Sequence, residues 1–339
     1  MPVRTAPPAL TDARSLVDPA LLAAIGTLCP KSRLLCGYHF GWSDAQGRET
    51  GAPRAGKALR PALVFLSARA ARARPEDALA GAMAVELVHN WSILHDDVID
   101  RDGRRRHQPT AWTVFGEGPA ILAGDALLTL AWQVLTECPS PHRTEALSRL
   151  TQAVRDLIRG QQADLSFEHR LDVSVAECMD MAAAKTAALM SCSSAIGAHL
   201  AGAPTGLVEG LASYGRHLGL AFQAVDDLLG TWGEPAVTGK PIGNDLRQRK
   251  KTLPVVFTLC GDDPWRAQLR QILSQERLGD RDVAKATDLL ERSGARQWTA
   301  ELVEHEIHLA LRSLDSQPVA VAVRAELEDL ARFVVSREA

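Results

Sequence analysis

Residues 86–100 read Glu-Leu-Val-His-Asn-Trp-Ser-Ile-Leu-His-Asp-Asp-Val-Ile-Asp. Leu87, Trp91, Leu94 and Val98 recur at three- and four-residue spacing, the pattern of a helix with an apolar stripe. At about 100° per residue, Asp96 and Asp100 fall almost on one line with Asp97 to one side, so three carboxylates can converge. On an exposed helix such a group is only a solvated face. In an otherwise apolar helix it is costly, because a buried carboxylate without a cation is destabilising.

The same pattern returns in Gly219-Leu-Ala-Phe-Gln-Ala-Val-Asp-Asp-Leu-Leu-Gly230, which carries Asp226 and Asp227. Two acidic sites in apolar helices invite cations between them. Oxygen-only ligation selects a hard ion such as Mg2+, which keeps several waters and bridges carboxylates to substrate phosphates. Basic residues stand where a diphosphate would need them: Lys57, Arg60, Arg105, Arg106, Lys185, Lys240 and Lys250. Singly each reads as a surface charge. Beside two acidic motifs they describe a metal-bridged diphosphate site, with Arg supplying paired donors and Lys a mobile point charge.

Working outward, helix signals dominate all 339 residues and alternating Val/Ile/Thr runs are scarce, so the expected fold is all-α. Asp18-Pro19 and Pro75 each mark a helix start, Ser174-Val-Ala-Glu177 is a capping box opening a helix to about Met190, and Pro204-Thr205 begins another. Gly37–Gly56 and Thr231–Asn244 break the rhythm and read as ordered loops. With no solenoid repeat, residues 16–339 are expected to form one domain, preceded by a disordered 1–15.

A net charge of -3 argues against a general polyanion binder, so no nucleic-acid partner is expected. The six cysteines are scattered, which suggests reduced thiols and neither zinc nor a disulfide scaffold. The first residues contain no signal-peptide core and no stretch reads as a membrane span, so the expected location is cytoplasmic.

The ordered set GKALRP, HDDVIDRDGRRRHQPT, GQQADL, AAKTAAL, FQAVDDLLG and TGKPIGNDLRQRKKTLP, spanning about residues 56–257, closely resembles the trans-isoprenyl diphosphate synthase (polyprenyl synthetase) family. The resemblance implies a helical bundle around a central cavity, usually homodimeric, that joins isopentenyl diphosphate to an allylic diphosphate with Mg2+. It further implies that Asp96, Asp100 and Asp226 bind the metals, with Asp97 and Asp227 supporting them. Arg105, Lys185, Lys240 and Lys250 would contact the allylic leaving group. Lys57, Arg60, His89 and Arg106 would hold isopentenyl diphosphate, while Thr186, Gln223 and Asp164 would orient the reacting region. His95 matches a family position that supports the helix. Chemistry agrees: ionising an allylic diphosphate makes a carbocation and a highly charged leaving group, so catalysis must be electrostatic and water must be excluded. The final proton goes to the diphosphate, and no side-chain base is nominated.

The sequence departs from the family at Gly230, where most members carry a third aspartate, and at His107, where glycine is usual. Activity is expected to survive with altered metal affinity, and Gly230→Asp to change the Mg2+ dependence. Trp91 and Ser92, five and four positions before Asp96, resemble the chain-length positions of short-chain synthases, most often the C20 type. Geranylgeranyl diphosphate is the expected product, with farnesyl diphosphate next, although ideal helix geometry turns Trp91 about 140° from Asp96. Two rivals are a terpene-synthase-like cyclase and a catalytically silent subunit of a heteromeric synthase. The complete second diphosphate set opposes the first; retention of nearly every charged motif position opposes the second.

Overall fold

The computed structural model describes residues 6–50, 56, 58–105, 108–233, 243–262, 264–275 and 277–336. Lys57, Arg106, His107 and Lys240 lie outside them.

The first half of the chain forms α1 (Pro8–Gly26), α2 (Pro30–His39), α3 (Leu59–Ala70), α4 (Leu79–Ile99), α5 (Ala111–Phe115), α6 (Glu117–Thr136) and α7 (Arg143–Phe167). A 3-10 turn from Pro75 to Ala78 leads into α4, as the proline signal predicts. There follow α8 (Val175–Ala182), a π turn (Ala183–Ala187), α9 (Ala188–Leu200) and α10 (Thr205–Trp232). The chain ends with α11 (Asn244–Arg247), α12 (Leu253–Cys260), α13 (Pro264–Leu273), α14 (Asp280–Arg292), α15 (Ala295–Arg312) and α16 (Val321–Val335). Between α4 and α5, the two-residue strands β1 (Arg104–Arg105) and β2 (Gln108–Pro109) pair antiparallel, Arg104 opposite Pro109. The fold is all-α apart from this ribbon, among the described residues.

Helix α1 corrects the expected start at Asp18-Pro19. It begins at Pro8, so residues 8–15 are helical, and Pro19 sits inside it. Leu10, Ala13, Val17, Leu21 and Ile25 form one buried stripe along its whole length, and that burial outweighs the single backbone bond a proline removes. The capping box opens α8 as read: the Glu177 N–H donates to Ser174 Oγ at 3.2 Å, and the Ser174 N–H donates back to Glu177 Oε2 at 2.9 Å. Helical structure then continues past Met190 to Leu200, because α9 is apolar on nearly every side and lies in the core.

The main core draws on α1, α3, α4, α6, α7, α9, α10 and α16. Tyr214 is fully buried and its hydroxyl donates to the Leu327 carbonyl at 2.7 Å, tying α10 to α16. A second apolar cluster, built from α11 to α14 with the start of α15, props the segment after Gly243 against α10. Helix α6 is the one described helix long and apolar enough to cross a membrane, which the sequence reading did not anticipate. Its Ala123, Gly124, Leu127, Leu130, Ala131 and Leu135 are buried, so it packs one face against the bundle. Ile121 and Leu122 remain on its outer edge, 41% and 66% exposed.

Candidate active site

Both acidic motifs sit near the C-terminal ends of their helices, Asp96 and Asp97 in the last turn of α4 and Asp226 and Asp227 within two turns of the end of α10. The partial negative charge of a helix C-terminus adds to the carboxylates, so these ends favour cations. Arg101 takes the left-handed conformation, φ 55°, and turns the chain from α4 towards the ribbon. Arg105 on β1 thereby returns to α4 and donates through Nε to Asp97 Oδ1 at 2.7 Å. Asp97 is buried, and burial raises its carboxyl to about 6 even against that guanidinium.

The other cations come from distant parts of the chain. Lys250 Nζ donates to Asp100 Oδ2 at 2.8 Å. Burial works against its charge, but Asp100, with Asp164 and Asp245, raises the ammonium on balance. Lys185 Nζ donates to Asp164 Oδ2 at 2.6 Å, and Asp164 with Asp96 likewise raises it against the effect of burial. Burial raises the Asp96 carboxyl, opposed chiefly by Lys185. Gln248 Nε2 donates to Asp102 Oδ1 at 3.1 Å, a second tether between the post-α11 segment and the end of α4.

Lys185 and Thr186 lie in the π turn, a local rewinding often found at functional sites. Gly160 on α7 is required there: a Cβ would meet the Lys185 backbone nitrogen at 2.3 Å. From this turn a chain of bonds runs to the second motif. Thr186 Oγ1 donates to Gln223 Oε1 at 2.5 Å, Gln223 Nε2 donates to Asp227 Oδ1 at 2.8 Å, and the Leu253 N–H donates to Asp227 Oδ2 at 2.8 Å. Leu253 opens α12, so Asp227 takes one of the orphan donors of that helix start. Burial still raises Asp227 to about 7.

On the opposite flank, Arg60 Nη1 donates to His89 Nε2 at 3.2 Å; since Arg only donates, that His nitrogen is the acceptor. Burial lowers the Arg60 guanidinium, opposed by Glu86 and Asp226. Arg60 Nε has no hydrogen-bond partner among the described residues. Asn90 donates to the Glu86 carbonyl at 2.8 Å and faces His39 at 3.1 Å, which fastens α2 to α4 beside this pair. Trp91 is buried between α4 and α6, edge-on to His95 and packed on Gly124. Ser92 Oγ donates to the His89 carbonyl at 2.8 Å.

The structure thus brings Asp96, Asp97, Asp100, Arg105, Lys185 and Lys250 together, and links Thr186, Gln223 and Asp227. Sequence reading missed Gln161, which is buried on α7 with both amide atoms unpartnered among the described residues. Its place in GQQADL, one turn before Asp164, was the available signal. Asp102 and Asp245 were also missed. Among the described residues no three His, Cys, Asp or Glu side chains converge into a ready cage. The donor set fits hard cations that take one or two carboxylates from each helix end and complete their shell with phosphate oxygens and water.

The polyprenyl synthetase family model matches residues 49–290. The chain belongs to that family. It is 47% identical over 336 residues to a (2E,6E)-farnesyl diphosphate synthase of Mycobacterium tuberculosis, covering 98% of this chain and 93% of the relative. It is 40% identical over 335 residues to a geranylgeranyl diphosphate synthase of the same organism, covering 97% and 93%. A polyprenyl synthetase from Streptomyces coelicolor A3(2) superposes with a TM-score of 0.91 at 46% identity, covering 96% and 98%. The enzyme is a short-chain trans-prenyltransferase, which sets aside the cyclase and silent-subunit readings.

Proposed function

We propose that this prenyltransferase condenses isopentenyl diphosphate with allylic diphosphates up to geranylgeranyl diphosphate, with Mg2+ held by Asp96, Asp100 and Asp226. The observation that carries the reading is the arrival of Arg105, Lys185 and Lys250, from three separate parts of the chain, at one acidic helix end. When bound, Mg2+ neutralises charge on the departing diphosphate. Arg105, Lys185 and Lys250, with Lys240 from outside the described residues, grip the same oxygens, while Asp97 and Asp227 fix the helix ends that carry the metal carboxylates. Arg60 and His89, with Lys57 and Arg106, hold the isopentenyl diphosphate; the buried Arg60 Nε, without a partner among the described residues, supports this role. Thr186 and Gln223 orient the reacting face between them.

Trp91 closes the product cavity below the first motif, with Ser92 leaving room for C20. The farnesyl product is the second reading, favoured by the name of the 47%-identical relative. Purified enzyme with Mg2+, isopentenyl diphosphate and each of the C5, C10 and C15 allylic diphosphates decides between them. A C20 product from the C15 primer is expected; accumulation of C15 with no further extension would replace the product assignment. We also infer a homodimer, since the outer edge of α5 and α6 exposes Val114, Ile121 and Leu122. Light scattering should give twice the chain mass, and a monomer would refute it.

A further inference from the structure

Gly230 stands four residues after Asp226 on α10, so a side chain there would lie on the same line as Asp226, just as Asp100 lies with Asp96. That place is already taken. A Cβ built on Gly230 would be 1.9 Å from Asp245 Oδ2 and 2.6 Å from Asp245 Cγ. The carboxylate of α11 therefore lies almost where the side chain of a third motif aspartate would begin. Its backbone is anchored beside the site, since the Lys250 N–H donates to the Asp245 carbonyl at 2.9 Å. Its charge is felt by both Asp227 and Lys250.

We infer that Asp245 supplies, from α11, the carboxylate that Gly230 leaves out of the second motif, and that Gly230 is glycine because Asp245 occupies its side-chain space. The two positions form one functional unit that orients the cation held by Asp226. This inference rests on the proposed divalent-metal site. It also revises the expectation for Gly230→Asp, which inserts a second carboxylate into filled space instead of restoring an absent one.

Mn2+ is the probe, with free ion counted by its paramagnetic resonance in the presence of inorganic diphosphate, and folding followed by the thermal midpoint. Asp245→Asn preserves shape and removes charge. It is expected to bind Mn2+ about tenfold more weakly with an unchanged midpoint. Gly230→Asp alone is expected to weaken binding as well, because its Cβ displaces Asp245. Gly230→Asp with Asp245→Gly moves the carboxylate back to α10 and is expected to return binding to within about threefold of native. Native-like binding by Asp245→Asn would overturn the inference, showing that Asp245 only fills space, and that variant decides even where the double variant does not fold. Failure of the native protein to bind Mn2+ with diphosphate would instead overturn the metal site itself.

Discussion

The two acidic helix ends are held by different physics. At the end of α4, Asp97 and Asp100 are each matched by a full positive charge, Arg105 and Lys250. At the end of α10, Asp227 is steadied by an amide, Gln223, and by the backbone N–H that opens α12. Removing a partner from the first end strands a buried charge, whereas the second loses dipoles. The first end is therefore charge-balanced and brittle, and the second more tolerant of neutral replacement.

The largest test is Asp96→Ala, expected to lower kcat/KM for condensation by about a thousandfold, the scale of losing a preorganised electrostatic group. Asp227→Asn keeps the side chain's shape and one of its two acceptor oxygens, so it gives up one neutral hydrogen bond and is expected to lose at least about tenfold less. Equal losses in steady-state assays would erase the distinction between the ends. Next in size, Lys250→Ala should raise KM for the allylic diphosphate by tens of fold, with KM for isopentenyl diphosphate within about twofold, since one charged hydrogen bond is worth roughly 1.5–3 kcal/mol. Parallel rises in both constants would place Lys250 between the substrates and not on one of them.

A smaller effect should appear in stability against pH for the metal-free enzyme. Burial raises Asp227 to about 7, so the folded state binds the proton more tightly than the unfolded chain. Its contribution to stability is full below the unfolded carboxyl range near pH 4 and is lost as pH rises through about 7. Asp227→Asn should remove that loss, leaving the variant a few degrees more stable than native at pH 8 relative to their difference at pH 4. A constant difference across pH would show that Asp227 is not protonated on folding.

The smallest change in rate should come from the underside of α4. Trp91→Ala is expected to lengthen the product by at least one C5 unit while condensation slows less than about tenfold. Gly124→Ala intrudes on the same packing, since its Cβ would meet His95 Nε2 at 2.4 Å and Trp91 Cδ1 at 3.3 Å. It should shift product distribution too, as sized chromatographically after dephosphorylation. Unchanged products from both variants would remove the floor from Trp91.

Helical class, both acidic motifs and most cationic residues were legible because each leaves a local mark: apolar spacing, a charged face, a cap. Partnerships were not legible. Lys250 meets Asp100 across 150 positions, and Asp227 meets the start of α12 through a backbone N–H that no residue type announces. The π turn was hidden for a similar reason, since AAKTA is ordinary helix sequence and its rewinding coincides with a close approach of α7 at Gly160, outside the turn's local pattern. The early start of α1 escaped because Pro19 looks like a boundary, although a five-residue buried stripe runs straight through it.

The Lys250–Asp100 bridge has a consequence for the order of events. In the proposed site each partner has a second role, Asp100 towards a cation and Lys250 towards phosphate, and the bridge holds both back from it. A cation at Asp100 would free the ammonium for diphosphate, and diphosphate at Lys250 would free the carboxylate for the cation. Such linkage is reciprocal, so each ligand strengthens the other by the same factor. On the proposed roles the bridge would act as a two-key lock, opened fully only when both ligands are present and before any carbocation exists for stray water to consume.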